Sequence, residues 1–104
     1  MEIVMQDLED LKKLLEEAKD RITLFCGVEV ITDETKVIFY VVVSCAIEVT
    51  ESIEPALVRY REYIGDAYTE EKADKEEKKA EKRRDEIIED LKKEGFTVYR
   101  GLIG

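Results

Sequence analysis

Histidine is absent from this 104-residue chain, and its absence removes much of the catalytic repertoire. Ser–His–Asp and Cys–His arrangements need an imidazole to take the nucleophile's proton. The residues left that could do chemistry are Cys26 and Cys45, the acid Glu48 at the end of an apolar run, and the segment Arg59-Tyr60-Arg61-Glu62-Tyr63. The cysteines lack a Cys-x-x-Cys spacing, so neither a zinc site nor a paired redox site is indicated. Tyr and Arg are favoured at interface hot spots, which makes Arg59, Arg61 and Tyr63 candidates for a recognition surface. The competing assignment puts Tyr60 in the core, with Arg59 stacked on Tyr63 one helical turn later. No pair of acids has a spacing that argues for general acid–base work, and no cofactor or metal is expected.

Glu48-Val49-Thr50 comes nearest to a catalytic motif. An acid-any-Lys triplet at a strand end, with an acid on a neighbouring strand and a helix behind it, is the layout of the metal-dependent PD-(D/E)xK nucleases. This segment resembles it, with a helix expected over 53–64 and a late strand at Gly95-Phe96-Thr97-Val98. The resemblance implies carboxylates that hold Mg²⁺ and a lysine near the attacking water. Thr50 stands where that lysine would be. The only upstream strand acid, Glu29, is expected to pair near Ile38, ~34 Å along the strand from Glu48. A degenerate or cryptic module of this kind, or another nucleic-acid-acting module, using Glu48, Arg59, Arg61 and Tyr63, is the alternative function. The simpler role for Glu48 is a cross-strand ion pair with Arg21.

These residues sit on elements that the pattern of apolar positions predicts. Val4, Leu8, Leu11, Leu15 and Ala18 form one helical stripe, so a helix is expected over 7–20, capped by Asp7. Residues 1–5 read either as an extra turn or as a short edge strand. Two strands follow, over 22–32 and 35–49. A two-residue turn at Asp33-Glu34 would pair Cys26 with Val41; a four-residue loop of the same parity also fits. In the first register Cys45 lies ~14 Å beyond Cys26's partner, too far for a disulfide, so both thiols are expected free, buried and inert. Residues 52–94 read as helical. Leu57, Tyr60, Ile64, Ala67 and Tyr68 form one stripe, and Ala73, Ala80, Ile87, Ile88 and Leu91 an opposite one. A break near Gly65–Thr69 is expected, with Thr69 capping the second part and Gly95 ending it. A last strand over 96–103 joins the hairpin's sheet. The fold class is α/β (α+β): one domain, a small three-stranded sheet, element order α-β-β-α-(α)-β.

The formal charge is −9, and the basic cluster Lys78, Lys79, Lys82, Arg83 and Arg84 is interleaved with acids. Neither nucleic acid nor an anionic membrane is an expected partner. The longest uncharged run, Val37 to Ile47, is about half of the ~20 residues that a spanning helix needs. The N-terminus is acidic and amphipathic, unlike a signal peptide, and the free cysteines suit a cytoplasmic protein. One side-chain amide, Gln6, beside abundant Glu, Lys and Arg suits a thermophilic archaeon, bacterium or virus. One face of the hairpin is apolar where a solvated face would be polar. Phe25, Ile38, Tyr40 and Val42 lie there, and a second helical layer or another subunit should cover them. With Ile87, Ile88 and Leu91 they are the candidate interface of a homodimer or of a complex with another protein. The expected function is a non-enzymatic, self-associating or protein-binding module.

Overall fold

Asp7 starts the first helix: its Oδ1 accepts from the Asp10 N–H at 2.8 Å, satisfying a free donor of the first turn. The structure, a computed structural model, describes residues 1–48 and 54–103. Helix α1 spans Leu8–Leu15 and runs into a 3₁₀ turn, Glu16–Ala18. Leu11 and Leu15 are buried, while Leu14 on the flank of the stripe stays exposed. Ahead of the helix, Glu2–Met5 is the edge strand β1.

Strands β2 (Thr23–Thr32) and β3 (Val37–Ile47) form the expected hairpin around a four-residue loop. The Asp33 N–H donates to the Lys36 carbonyl at 2.8 Å and closes that loop. A two-residue turn on Asp33-Glu34 would need positive φ at residues that disfavour it, and among the described residues only glycines have positive φ. The register is shifted by two from the two-residue version: Val30 faces Phe39, Val28 faces Val41 and Cys26 faces Val43. An even shift keeps every side chain on its expected face.

The principal correction concerns Ala56–Ala67, which is strand β4, antiparallel to β3, and not a helix. Phe39 lies opposite Gly65 while Tyr40 lies opposite Tyr63, so Ile64 is an inserted bulge residue. The helix-side positions are Ala56, Val58, Tyr60 and Glu62 before the bulge, then Gly65 and Ala67 after it. This change of phase makes Leu57, Tyr60, Ile64 and Ala67 look helical by spacing alone. The expected break near Gly65–Thr69 is the point where strand passes into helix α2, Glu70–Lys93. Thr69 Oγ1 accepts from the Lys72 N–H at 3.2 Å, and Gly95, at φ +95°, ends the helix. Strand β5 is Thr97–Arg100, parallel to β2. The sheet has five strands, not three, in the order β1-β4-β3-β2-β5. The start of the expected helix at Ser52, and the Val49-Thr50 part of the nuclease-like triplet, lie outside the described residues.

This topology explains why both helices share one side. β1 and β4 are parallel, as are β2 and β5, and only β3 runs against the rest. Helix α1 carries the chain from β1 to β2, and α2 from β4 to β5. Both crossovers step in the same direction across the sheet, so a single crossover hand puts both helices on one face. That face holds the core: Leu11 and Leu15 from α1, Ile87, Ile88 and Leu91 from α2, and Leu24, Cys26, Val41, Val43, Cys45 and Val58 from the strands. Ile87, Ile88 and Leu91, expected at an interface, are 1%, 7% and 0% exposed and pack on their own sheet. Their phase opposes that of residues 57–68 only if those residues are helical, and they form β4.

Polar clamps fasten the layers. Lys12 Nζ reaches Asp90 at 2.6 Å, Glu94 at 2.9 Å and Glu9 at 3.0 Å, and so ties α1 to the end of α2. Burial disfavours its charge, but the carboxylates of Asp90, Glu94 and Glu9 outweigh burial and hold the ammonium above the usual lysine range. From β4, Glu62 accepts from Arg83 Nε at 2.5 Å and from the Tyr60 hydroxyl at 2.8 Å.

Candidate interaction surface

With both helices on one side, the only described part of the chain that crosses the other face of the sheet is the segment after β5, over Gly27. Strand alternation and the register assign its residues. Phe25, Gly27, Glu29 and Ile31 come from β2, and Ile38, Tyr40, Val42, Ser44 and Ala46 from β3. Leu57, Arg59, Arg61 and Tyr63 come from β4, Val4 from β1 and Tyr99 from β5. Val4, Tyr63 and Tyr99 are each about three-fifths exposed.

The polar groups on this face neutralise one another. Arg61 Nε donates to Glu29 Oε1 at 2.8 Å, and its guanidinium lies 4.2 Å from the centre of the Tyr40 ring. Arg59 meets Glu2 at 3.5 Å, and Lys36 meets Asp66 at 3.4 Å. Three cations are matched by three carboxylates, so the excess acid of the chain lies elsewhere. Aromatic rings frame the pairs: Tyr40 meets Tyr63 edge-on at 6.0 Å, and Phe25 lies 6.1 Å from Tyr99. Val42 and Ser44 are nearly covered, at 3% and 2% exposure. They sit at mid-sheet, flanked across the strands by Gly27 and Arg61 and by Phe25 and Arg59.

The chain after β5 folds back across β2. The Gly101 N–H donates to the Cys26 carbonyl at 2.9 Å, and Gly101 adopts φ +142°. A Cβ at Gly27 would lie 2.7 Å from the Gly101 carbonyl carbon and oxygen and 3.0 Å from Leu102. Gly27 is thus the space that the C-terminal segment occupies.

The structure brings Phe25, Ile38, Tyr40 and Val42 together with Arg59, Arg61 and Tyr63 on this one face. The second group was read as a recognition segment on a helix; it reaches the face from a strand. Tyr60 points to the core, as the competing assignment had it. Glu48 stands apart, exposed at the end of β3. Arg21 does not pair with it; its contacts are the Glu17 carbonyl at 3.3 Å and Asp20 at 4.0 Å. Glu29 lies opposite Tyr40, ~27 Å along the strand from Glu48, and its partner is Arg61. Lys82, Arg83 and Arg84 lie on α2, on the far side of the sheet from Arg59 and Arg61. Val4, Leu57 and Tyr99 complete the face; Val4 and Leu57, expected in helical stripes, reach it from strands, and Tyr99 carries no role in the reading of the sequence. The alternation Leu57, Arg59, Arg61, Tyr63 against Ala56, Val58, Tyr60 was the available signal.

Cys26 and Cys45 are free and buried, and burial pushes their thiols up to about 12 and about 11. Among the described residues no group of three or more acids or cysteines is placed to hold a metal ion. One surface depression, of about 690 Å³, is bounded by charged side chains of α2 alone. No helix among the described residues is long and apolar enough to cross a membrane. No protein-family model, curated protein or solved structure matches the chain.

Proposed function

We propose that the protein is a non-enzymatic association module whose working surface is the open face of its sheet, with a second copy of the chain as the partner. The observation that carries this reading is the face itself: a surface of aromatic and aliphatic side chains that no helix covers among the described residues, with its arginines ion-paired, on a chain of net charge −9. Strands of this length at ordinary spacing give it an area on the order of 700 Å², close to the ~800 Å² per partner of a standard interface. Two copies can approach here without like-charge repulsion, while the acidic remainder keeps other surfaces apart. The compensated arginines give a nucleic acid no positive field to follow, which supports association over the nuclease-like alternative. The ion-pair clamps are in keeping with a thermophilic source.

Ile38→Glu tests this directly. Ile38 lies toward the hairpin end of this face, opposite Ile31 and Asp66, and a carboxylate buried there against a second copy costs several kcal/mol, about 3 or more. The variant should stay folded by circular dichroism and show a lower mass than the wild type in light scattering, as the association through this face is lost. A folded variant with the wild-type mass would refute the face as the interface. Fluorescence anisotropy with single- and double-stranded DNA and RNA near 150 mM salt addresses the alternative; micromolar binding would favour it.

A further inference from the structure

We infer that the free half of the β2 edge, Val28–Thr32, pairs antiparallel with the same segment of a second copy. β5 covers β2 only from Thr23 to Cys26. The hydrogen bond from the Gly101 N–H to the Cys26 carbonyl shows that Cys26 directs its backbone groups away from β3. Backbone direction alternates along a strand, so the N–H and C=O groups of Val28, Val30 and Thr32 point the same way. Those of Gly27, Glu29 and Ile31 point to β3, and the Asp33–Lys36 bond continues that alternation to the end of the hairpin. No described strand runs beside Val28–Thr32 on the outer side.

Edges left open like this are ordinarily blunted by lysine, proline, bulges or charge. The opposite free edge, along the second half of β4, has such devices: the Ile64 bulge with Glu62 and Asp66 beside it. The β2 edge has none. Val28-Glu29-Val30-Ile31-Thr32 contains no lysine or proline and pairs with β3 without a register shift. Its one charge is held by Arg61. Val30 is half exposed and Ile31 about a third.

Pairing centred on Val30 is self-complementary. Val30 faces its own counterpart, and Val28 faces Thr32 of the second copy. The outward groups then exchange about six hydrogen bonds across a two-fold axis normal to the sheet. The register is bounded on both sides. Sliding one way runs into the end of β5 at Gly101; sliding the other runs out of strand at Asp33. The sheet becomes continuous through both copies, with both open faces on one side. This contact is separate from the face proposed above and leaves that face available.

Val30→Pro removes the central outward N–H without breaking a bond to β3. Light scattering after size exclusion, on the full chain at tens of micromolar, should give half the number of chains found for the wild type. An unchanged number would overturn the pairing. If the proline variant does not fold, Val30→Lys sets like charges opposite each other across the two-fold and should halve the number too; an unchanged number again overturns it. Amide hydrogen exchange supplies an independent readout. In the wild type the Val28, Val30 and Thr32 amides should be as protected as those of Glu29 and Ile31. Free exchange at those three positions would overturn the pairing. The two interfaces fail separately: an effect of Ile38→Glu without one of Val30→Pro removes the edge alone, and the reverse removes the face alone.

Discussion

Lys12→Met should destabilise the protein by about 2 kcal/mol, a value between the limits for exposed and buried pairs. The Lys12 side chain is only 8% exposed, whereas its partners Glu9, Asp90 and Glu94 are 70%, 50% and 44% exposed. An exposed ion pair contributes about 0–1 kcal/mol, and removing one partner of a fully buried pair costs about 3–5. Here a buried cation meets half-solvated carboxylates, so the cost falls between. Methionine retains the apolar stem, so the loss is chiefly that of charge holding three carboxylates together. For a domain of this size about 2 kcal/mol lowers the melting temperature by roughly 10 °C. Because the folded state raises the pKa of Lys12, its contribution is fully present below the ordinary lysine value of 10.5 and is lost only as pH rises beyond it. The difference between wild type and variant should be constant from pH 6 to pH 9 in thermal melts. A drop of less than about 2 °C would refute the clamp between α1 and α2.

Three other consequences are open to measurement. Gly27→Ala should weaken the fold by about 1–2 kcal/mol in urea titration, since Cβ displaces the Gly101 backbone and its bond to Cys26 while a strand Gly→Ala change alone would be mildly favourable; a more stable variant would contradict the close approach. Neither Cys26 nor Cys45 should react with a disulfide reagent at pH 8 in the folded protein, and both should react in guanidinium, because burial keeps the thiols neutral up to about 12 and about 11. Fast labelling of the folded chain would show that the core is open. Glu62→Gln should be destabilising at neutral pH and progressively less so in acid: the Arg83 guanidinium lowers the Glu62 pKa, so the wild-type contribution is present above the ordinary glutamate range and lost as pH falls through the lowered value. A difference independent of pH would contradict that pairing.

Local signals in the sequence were read correctly where a single residue type decides the geometry. Asp7 and Thr69 cap helices, Gly95 ends one, and the alternation over β2 and β3 sets which side chains share a face. The parity of the hairpin is the same for the two-residue turn and for the four-residue loop that the structure has, because an even slip leaves faces unchanged. β4 looks helical in the sequence because the bulge at Ile64 inserts one residue into a period of two, and the result imitates a helical stripe. That imitation hides two strands' worth of pairing: without β4 there is no partner for β1, and Ile87, Ile88 and Leu91 seem to face away from the core. Phe25, Ile38, Tyr40 and Val42 were legible as an odd apolar face, yet their bareness was not. It follows from both crossovers stepping the same way across the sheet, which depends on strand order and not on any local pattern.

The mass of the wild-type protein in solution tests the central claim most directly. Light scattering coupled to size exclusion, at tens of micromolar and near-physiological salt, is predicted to give at least two chains per particle, falling on dilution as the open sheet faces part. A mass equal to that of one 104-residue chain throughout that range would contradict self-association through the sheet.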